Sequence, residues 1–430
     1  MAVLGTRSAA FLGALTSLLT LGVHAQIRVM SPKFLVEQFH SSQGRIDGAT
    51  STFGAPFYGE RILGQLVWGE PSNHSHCTDS DYDIVMPTVH DPTPDEVQLI
   101  NIVMVRRGEC SFTRKVLIAR NKGAHAVIFV DQDPNRTAKS ISRTIVADDG
   151  FGGDIKIPSI LISYEEGQLL IDAVTRHAQV IIELAWTVPT DHVVVMDLWM
   201  SSASQQSAEF LRDFAQKRRA LNHAMKFVPH YHVFSLHQQD FNNLCSDDTG
   251  RFCAKDPDAA GKVTGKMVIE EDVRQLCIHS LTRVRRTPPG LESSKITVEY
   301  AEKWWAYIEK FLLRCRIDDA AEESRRFGAA CANDLMVEVG IDVDQVNQCI
   351  QIRQEELLQQ ELDNRAWSPT ALRINGWRYN GMLDAELVTR AICAGFVRQP
   401  DACRDLAEPV NPFLDKDETP SYEGVRLSTL

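Results

Sequence analysis

The chain has 430 residues, of which 44% are hydrophobic and 24% are charged, and this composition indicates a globular protein of two or three domains. The formal net charge of −12 argues against nucleic-acid binding, because proteins of that class usually carry a basic surface. The sequence contains no GxSxG, HExxH or P-loop motif, so we expect no catalytic site of those types and no cofactor.

The first 25 residues have the pattern of a secretory signal peptide. Arg7 precedes the apolar run AAFLGALTSLLTLGV, and small or apolar residues occupy positions −3 and −1 of a cut after Ala25. We therefore expect a mature chain in the lumen of the secretory pathway or outside the cell, with an uncleaved signal anchor as the alternative. No later stretch reaches the ~18 to 20 apolar residues of a transmembrane helix. The sequons at Asn73 and Asn135 are candidate glycosylation sites in that compartment.

The cysteines agree with an oxidising compartment. There are ten of them, and an even number in a secreted chain predicts a set of disulfides. No two have CxxC spacing, so we predict neither a metal site nor a redox dithiol. Cys331 with Cys349, and Cys393 with Cys403, are candidate local pairs, although the sequence alone does not fix the connectivity.

The segment 101–131 has a strand–helix–strand pattern. NIVMV and AVIFV are typical of buried strands, and SFTRKVLIARNKGA between them has helical periodicity that ends at Gly123. The loop RRGEC therefore lies where a strand ends and a helix begins, and the unpaired N–H groups there favour an anion. Arg107 in this loop can offer a fork of donors to a peptide carboxylate; the alternative is a solvated loop charge.

Three stretches resemble a protease-associated (PA) domain, and most of all that of plant-type vacuolar sorting receptors. They are FGAPFYGE at 53–60, VRRGECSFTRKVLIARNKGAHAVIFVD and IKIPSILIS at 155–163. The resemblance implies a PA domain over 26–189 and a disulfide between Cys77 and Cys110. It also implies a loop that contacts the sorting peptide of a client protein, formed by Arg107, Gly108, Glu109, Ser111 and Phe112.

The second half of the chain combines strand, turn and helix patterns. VVVMDLWMSSASQQSAEFLRDFA at 193–215 predicts a strand, a turn and a helix, and PHYHVFSL at 229–236 predicts another strand. Four helical segments follow between 268 and about 365. WSPTALRINGWRYNGML at 367–383 predicts a hairpin, because Asn-Gly is a strong two-residue turn signal.

These pieces resemble a thioredoxin-like domain over 190–408 with a large helical insertion at about 268–365. The predicted fold class is therefore α/β (α+β), a protease-associated domain followed by a thioredoxin-like domain. The resemblance also implies a cis proline facing the active-site turn, for which the candidate is Pro369. Residues 409–430 are polar and are predicted to be a disordered tail.

The departures from the resemblance bear on function. The turn between Ser201 and Ser207 holds no cysteine, and disulfide exchange requires a thiolate, so we expect no redox catalysis. Without a thiolate, the thioredoxin-like domain still offers a surface that can hold an extended peptide by strand addition. The receptors also continue into EGF-like repeats, a membrane span and a cytosolic tail, and none of these is matched in this sequence.

Two further motifs give little support to a catalytic or metal-binding function. Asp248-Thr249-Gly250 is the triplet of aspartic proteases, but those enzymes need two such carboxylates and no second triplet occurs. His230 and His232 lie on one face of the predicted strand, and without an evident third ligand we interpret them as structural histidines, not metal ligands.

The leading hypothesis is a redox-inactive, luminal or secreted protein that binds peptide segments of client proteins. Nucleic acid is not an expected partner, and a separate membrane-anchored protein is kept as a second candidate partner. The alternatives are a divergent disulfide oxidoreductase or isomerase, and a fragment of a membrane-anchored sorting receptor.

Overall fold

The computed structural model describes residues 25–39, 44–68, 76–79, 99–236, 243–257, 261–288, 297–318 and 322–406. Apart from Ala25, the predicted signal peptide lies outside the described residues. So do the sequon asparagine Asn73 and the predicted tail at 409–430.

The first domain is a closed barrel of seven strands with four short or medium helices around it. Its elements in chain order are β1 (Ala25–Ser31), α1 (Lys33–Gln38), β2 (Arg45–Thr50), β3 (Arg61–Trp68), β4 (Ile100–Arg106), α2 (Phe112–Asn121), β5 (Ala126–Val130), α3 (Ala138–Ile141), β6 (Ser159–Ile162), α4 (Tyr164–Thr175) and β7 (Ile181–Trp186). The strand order is β1-β2-β6-β5-β4-β3-β7, and β7 closes the barrel by pairing with β1.

Strands β4 and β5 are buried on both faces, which explains the apolar runs at 102–105 and 126–130. Ile102 and Met104 of β4 point into one apolar cluster, whereas Val103 and Val105 point into another that contains Val116 of α2. The predicted strand–helix–strand unit is confirmed: β4 and β5 are parallel neighbours joined by α2.

The second domain contains a four-stranded sheet and a helical insertion. Its elements are β8 (Val194–Met200), α5 (Gln205–Ala220), β9 (Met225–Tyr231), α6 (Gly265–Thr282), β10 (Val284–Arg286), β11 (Val298–Tyr300), α7 (Glu302–Arg314), α8 (Ala329–Glu338), α9 (Val343–Asp363), β12 (Leu372–Ile374), β13 (Trp377–Arg378), α10 (Ala385–Ala394) and α11 (Asp401–Leu406). The sheet order is β13-β12-β8-β9, with β8 and β9 parallel. No helix in the described part of the chain has both the length and the apolar content of a membrane span.

The predicted hairpin is confirmed, and its turn residue also ties the domain together. Asn375 and Gly376 both have positive φ, 50° and 78°, as a two-residue hairpin turn requires. The Asn375 side chain donates to the carbonyl oxygens of Pro189 at 2.7 Å and Gly395 at 2.9 Å. It also accepts from the backbone N–H of Val195 at 2.9 Å, so one side chain joins three segments.

The prediction of a cis bond before Pro369 is wrong. The cis peptide bond found in the described residues precedes Pro32, and the Ser368–Pro369 bond is trans. The Ala371 N–H donates to the Ser368 carbonyl at 3.3 Å, which places Pro369 second in a four-residue turn. That position favours a trans proline, whereas a cis proline belongs at the third position.

All ten cysteines are paired in five disulfides, and one predicted pair is wrong. Cys77 joins Cys110, and Cys393 joins Cys403. Cys331 and Cys349 do not pair with each other, because each lies on a helix that packs against an earlier helix of the insertion. Cys331 of α8 bonds to Cys315 at the end of α7, and Cys349 of α9 bonds to Cys277 of α6; the fifth pair is Cys245–Cys253.

A buried tyrosine joins the two domains. The Tyr58 hydroxyl donates to the Asn380 carbonyl at 3.0 Å and lies 2.8 Å from the Asn380 backbone N–H, which donates to it. The Tyr58 ring stacks on Tyr379 with centroids 5.3 Å apart, and both residues are buried. One apolar cluster continues from the barrel interior into the second domain through this contact.

We predict that Tyr58→Phe destabilises the protein by about 1 to 3 kcal/mol, because it leaves a buried backbone N–H and a buried carbonyl without their partner. Urea unfolding measures the change. Tyr164→Phe is the matched control, since that side chain is 37% exposed and its loss should cost little. Equal stabilities for the two variants would contradict the role assigned to Tyr58.

Candidate functional site

The loop predicted to bind peptide lies at one edge of the barrel, where three parallel strands end together. β4 pairs with β5 and β5 with β6, and the register aligns Arg106 with Val130 and Val130 with Ile162. The segments that follow these strands therefore begin side by side. The first of them runs from Arg107 to Ser111 and leads into α2.

The backbone of this loop turns sharply between the strand and the helix. Gly108 has φ 104° and Glu109 has φ 72°, so two consecutive residues adopt the left-handed region. Glu109 is exposed, and the disulfide between Cys110 and Cys77 fixes the next position. Ser111 then caps α2 by accepting the backbone N–H of Arg114 at 3.3 Å.

Arg107 is held by a buried carboxylate that sequence reasoning missed. Its Nη1 atom donates to Oδ2 of Asp131 at 2.9 Å, and Nη1 of Arg136 donates to the same oxygen at 2.7 Å. Burial tends to raise the pKa of Asp131, but the Asp133 backbone N–H and the two guanidinium groups outweigh it and hold that pKa below its usual value. The position of Asp131 directly after a buried strand was the available signal.

The guanidinium of Arg107 is also in contact with an aromatic ring and with solvent. It lies 5.7 Å from the centre of the Phe112 ring, and 37% of the Arg107 side chain is exposed. Phe112 itself is half-buried and packs edge-on against Phe129 at 4.8 Å. The fold therefore places the predicted residues side by side. Arg107 and Glu109 face solvent, and the Phe112 ring packs against the Arg107 guanidinium.

The N-terminus of α2 already has a carboxylate beside it. Thr113 donates its hydroxyl to Oδ1 of Asp149 at 2.6 Å, and the Ser111 and Thr113 hydroxyls lie 3.0 Å apart. The hydroxyl groups of Ser111 and Thr113 lower the pKa of Asp149. The capped N-terminus of α2 is therefore already beside a carboxylate of the chain itself.

The sequon asparagine Asn135 lies close to this site in the fold. It is exposed in the segment between β5 and α3, and its backbone N–H donates to Oδ1 of Asp133 at 2.9 Å. Arg136 of the same sequon is the second partner of Asp131. A glycan at Asn135 would therefore stand beside the loop that carries Arg107.

The turn after β8 is fixed by the helical insertion. The Ser202 N–H donates to Oδ1 of Asp272 on α6 at 2.9 Å, and Asp272 is fully buried. Burial raises the pKa of Asp272 to about 8, against the hydrogen bonds from Ser202 that lower it. The turn from Ser201 to Ser204 carries no cysteine, and the carboxyl group of Asp272 on α6 holds its backbone.

His230 belongs to a buried ionic network on the sheet. Its Nδ1 atom lies 3.3 Å from Oε2 of Glu361 and its Nε2 atom 3.5 Å from Oδ1 of Asp197. Burial lowers its pKa, but hydrogen bonds and charge from the two carboxylates prevail and raise it to about 9. Within the described residues no group of three His, Cys, Asp or Glu side chains is arranged to hold a metal ion.

The comparisons with known families agree with this two-part architecture. The PA domain family matches residues 62–170, and the vacuolar sorting receptor thioredoxin-like domain matches residues 194–393. The chain therefore has a PA domain followed by a thioredoxin-like domain, and the predicted fold class is confirmed.

Similarity to whole proteins extends across most of the chain. It is 29% identical to vacuolar-sorting receptor 1 of Pisum sativum, over 93% of this chain and 64% of the relative. It is 27% identical to vacuolar-sorting receptor 4 of Arabidopsis thaliana, over 88% of this chain and 61% of the relative. The chain is a homologue of the vacuolar sorting receptors, and it spans a little over three fifths of the length of these two relatives.

A solved structure matches about half of the chain at lower identity. Reduced DsbA from Mycobacterium tuberculosis covers 51% of this chain at 12% identity, with a TM-score of 0.30, and 95% of its own length is matched. A likeness of this size carries no argument about function.

We predict that His230→Gln lowers the free energy of unfolding by about 1 to 3 kcal/mol near pH 6. The folded pKa of about 9 exceeds the ordinary value of 6.5, so the stabilisation is complete below pH 6.5 and is lost as the pH rises through 9. Urea unfolding of both proteins from pH 6 to pH 9.5 measures it. His192→Gln, at an exposed position, is the control. A difference between wild type and His230→Gln that stays constant with pH would contradict the ionic network.

Proposed function

We propose that this chain is a sorting-receptor-like protein of the secretory pathway that binds extended peptide segments of client proteins at the Arg107 loop. The observation that carries the proposal is the Arg107 guanidinium, which is oriented by buried Asp131 and still 37% exposed. The homology to vacuolar sorting receptors supports a cargo protein as the kind of partner.

The geometry supports recognition of a carboxylate or a carbonyl-rich segment. Within the described part of the chain the Arg107 guanidinium donates one hydrogen bond, from Nη1, so it retains donors for a ligand. Because Asp131 and Phe112 restrain the side chain, little rotamer entropy is lost when a peptide binds. The exposed backbone of Gly108 and Glu109 lies next to that position.

We further propose that the second domain performs no disulfide exchange. Two observations support this: all ten cysteines are in disulfides, and the turn between Ser201 and Ser207 has serine, alanine and glutamine in place of a nucleophile. The buried bond from Ser202 to Asp272 gives that turn a structural anchor without a thiol. The alternative of an oxidoreductase would require one of the five disulfides to exchange directly with a substrate thiol, and none of the five lies in this turn.

The test is client capture with matched arginine variants. The tagged chain is immobilised, luminal extract is applied at neutral pH, and retained proteins are eluted at acidic pH and identified. Arg106→Ala is the control, because Arg106 is the adjacent exposed arginine and its guanidinium lies over Trp68 instead of at the loop. Proteins retained by wild type and by Arg106→Ala, but not by Arg107→Ala, would be the clients.

We predict that Arg107→Ala weakens binding of a peptide from such a client about 10- to 100-fold, since a charge-assisted hydrogen bond contributes ~1.5 to 3 kcal/mol. Fluorescence anisotropy with a labelled peptide measures the dissociation constant. Arg136→Ala removes the other partner of Asp131 and shows whether the effect passes through that carboxylate. An unchanged dissociation constant for Arg107→Ala would remove this loop from the binding site.

A further inference from the structure

A second concave surface lies in the helical insertion, and none of its residues belongs to the site described above. It is a cavity of about 430 Å³ between the end of α6, the hairpin of β10 and β11, and the first turns of α7 and α9. Volumes of this order are typical of sites that enclose a side chain or a small ligand.

One wall of the cavity is aliphatic and extends to an exposed rim. Val346 at the base is 1% exposed, whereas Leu281 and Val284 at the rim are 46% and 55% exposed. Covering such a rim removes apolar surface from water, which is favourable by about 25 cal/mol for each Å². The wall therefore favours an aliphatic side chain as the occupant.

One of the residues that line the cavity carries a buried hydroxyl with which no described residue pairs. Tyr300 is 5% exposed, and its hydroxyl oxygen has no hydrogen-bond partner among the described residues. Buried polar groups are nearly always paired, so an unpaired one calls for an acceptor or donor from elsewhere. A backbone carbonyl of a bound segment would satisfy it.

Arg286 supplies a cation at the rim with which a carboxylate of a ligand can pair. Arg283 and Arg285 both pair with Glu299, at 2.9 and 3.0 Å, but Arg286 has no ion pair within the described part of the chain. Two acidic residues also line the cavity, but neither forms an ion pair with Arg286 in the described part of the chain: Asp342 caps α9, accepting the Gln345 N–H at 3.1 Å, and Glu302 lies in the first turn of α7.

The strand next to the cavity has an open edge. β10 pairs with β11 on one side, and no described strand pairs with its other side. All three residues of β10 are exposed. An unpaired edge of this kind is a template for an extended peptide, which adds to the sheet by main-chain hydrogen bonds.

We propose that this cavity and the edge of β10 form a second peptide subsite, which takes an extended segment with an aliphatic residue two positions from an acidic one. The spacing follows from the strand: Val284 and Arg286 are two apart and both line the cavity, so they lie on one face of β10. The proposal rests on the proposed function for its ligand class, a peptide, and not for its location.

The test is a charge swap with two labelled heptapeptides and the full chain. The first alternates threonine with leucine, glutamate and valine at positions two, four and six; the second has lysine in place of glutamate. We expect wild type to bind the glutamate peptide about 10-fold more tightly by anisotropy, and Arg286→Glu to reverse the preference. Arg285→Glu, on the opposite face of the same strand, should leave the preference unchanged.

A second variant tests the hydroxyl. Tyr300→Phe should weaken binding of both heptapeptides several-fold without altering the preference for glutamate over lysine. A tyrosine with a purely structural role would show no such loss of binding. Absence of saturable binding up to about 1 mM, or an unaltered preference in Arg286→Glu, overturns the proposal. If Arg107→Ala abolishes binding of the labelled heptapeptides, these peptides bind the first domain and the proposed subsite is refuted. Retention of clients by Arg286→Glu shows separately whether the first site still works.

Discussion

Parallel hydrogen bonding between β4, β5 and β6 is the constraint on which the first domain's site depends. Because neighbouring parallel strands end at the same edge, the residues that follow them must meet there, whatever their distance along the chain. For this reason the Nη1 atom of Arg107 lies 2.9 Å from Oδ2 of Asp131, although the two residues are 24 positions apart in the sequence. A carboxylate that is only 3% exposed is tolerated at this edge because two guanidinium groups face it.

The elements that depend on local pattern were predictable from the sequence. The apolar runs before Arg107 and before Asp131, and the Asn375-Gly376 turn, are set by residues close to one another in the chain. The prediction that failed and the contact that was missed depend on residues that are far apart in the sequence. Cys331 and Cys349 each bond to a cysteine of an earlier helix, Cys315 and Cys277, because of how the helices pack. Arg107 pairs with Asp131, which follows the neighbouring strand, and local spacing determines none of these partners.

The second domain shows how a thioredoxin-like turn is kept in shape without cysteines. The insertion supplies Asp272, whose carboxylate accepts the Ser202 N–H from beneath the turn, while Trp199 extends its strand by donating its N–H to Ala371 at 2.8 Å. The helices that the insertion adds are cross-linked by Cys277–Cys349 and Cys315–Cys331. The part of the domain that looks like an addition to the fold is therefore what supports its central turn.

The contact between Tyr58 and Asn380 bears on how the two proposed peptide sites would act together. It buries a hydrogen-bonded tyrosine between the domains, and one apolar cluster contains residues of both the barrel and the second domain, so the two proposed sites lie on domains that pack together. A client with two suitable segments would bind the second one as an intramolecular event, at an effective concentration that reaches the millimolar range for short flexible connections. Two weak contacts would then give tight retention, and loss of either would release the client quickly.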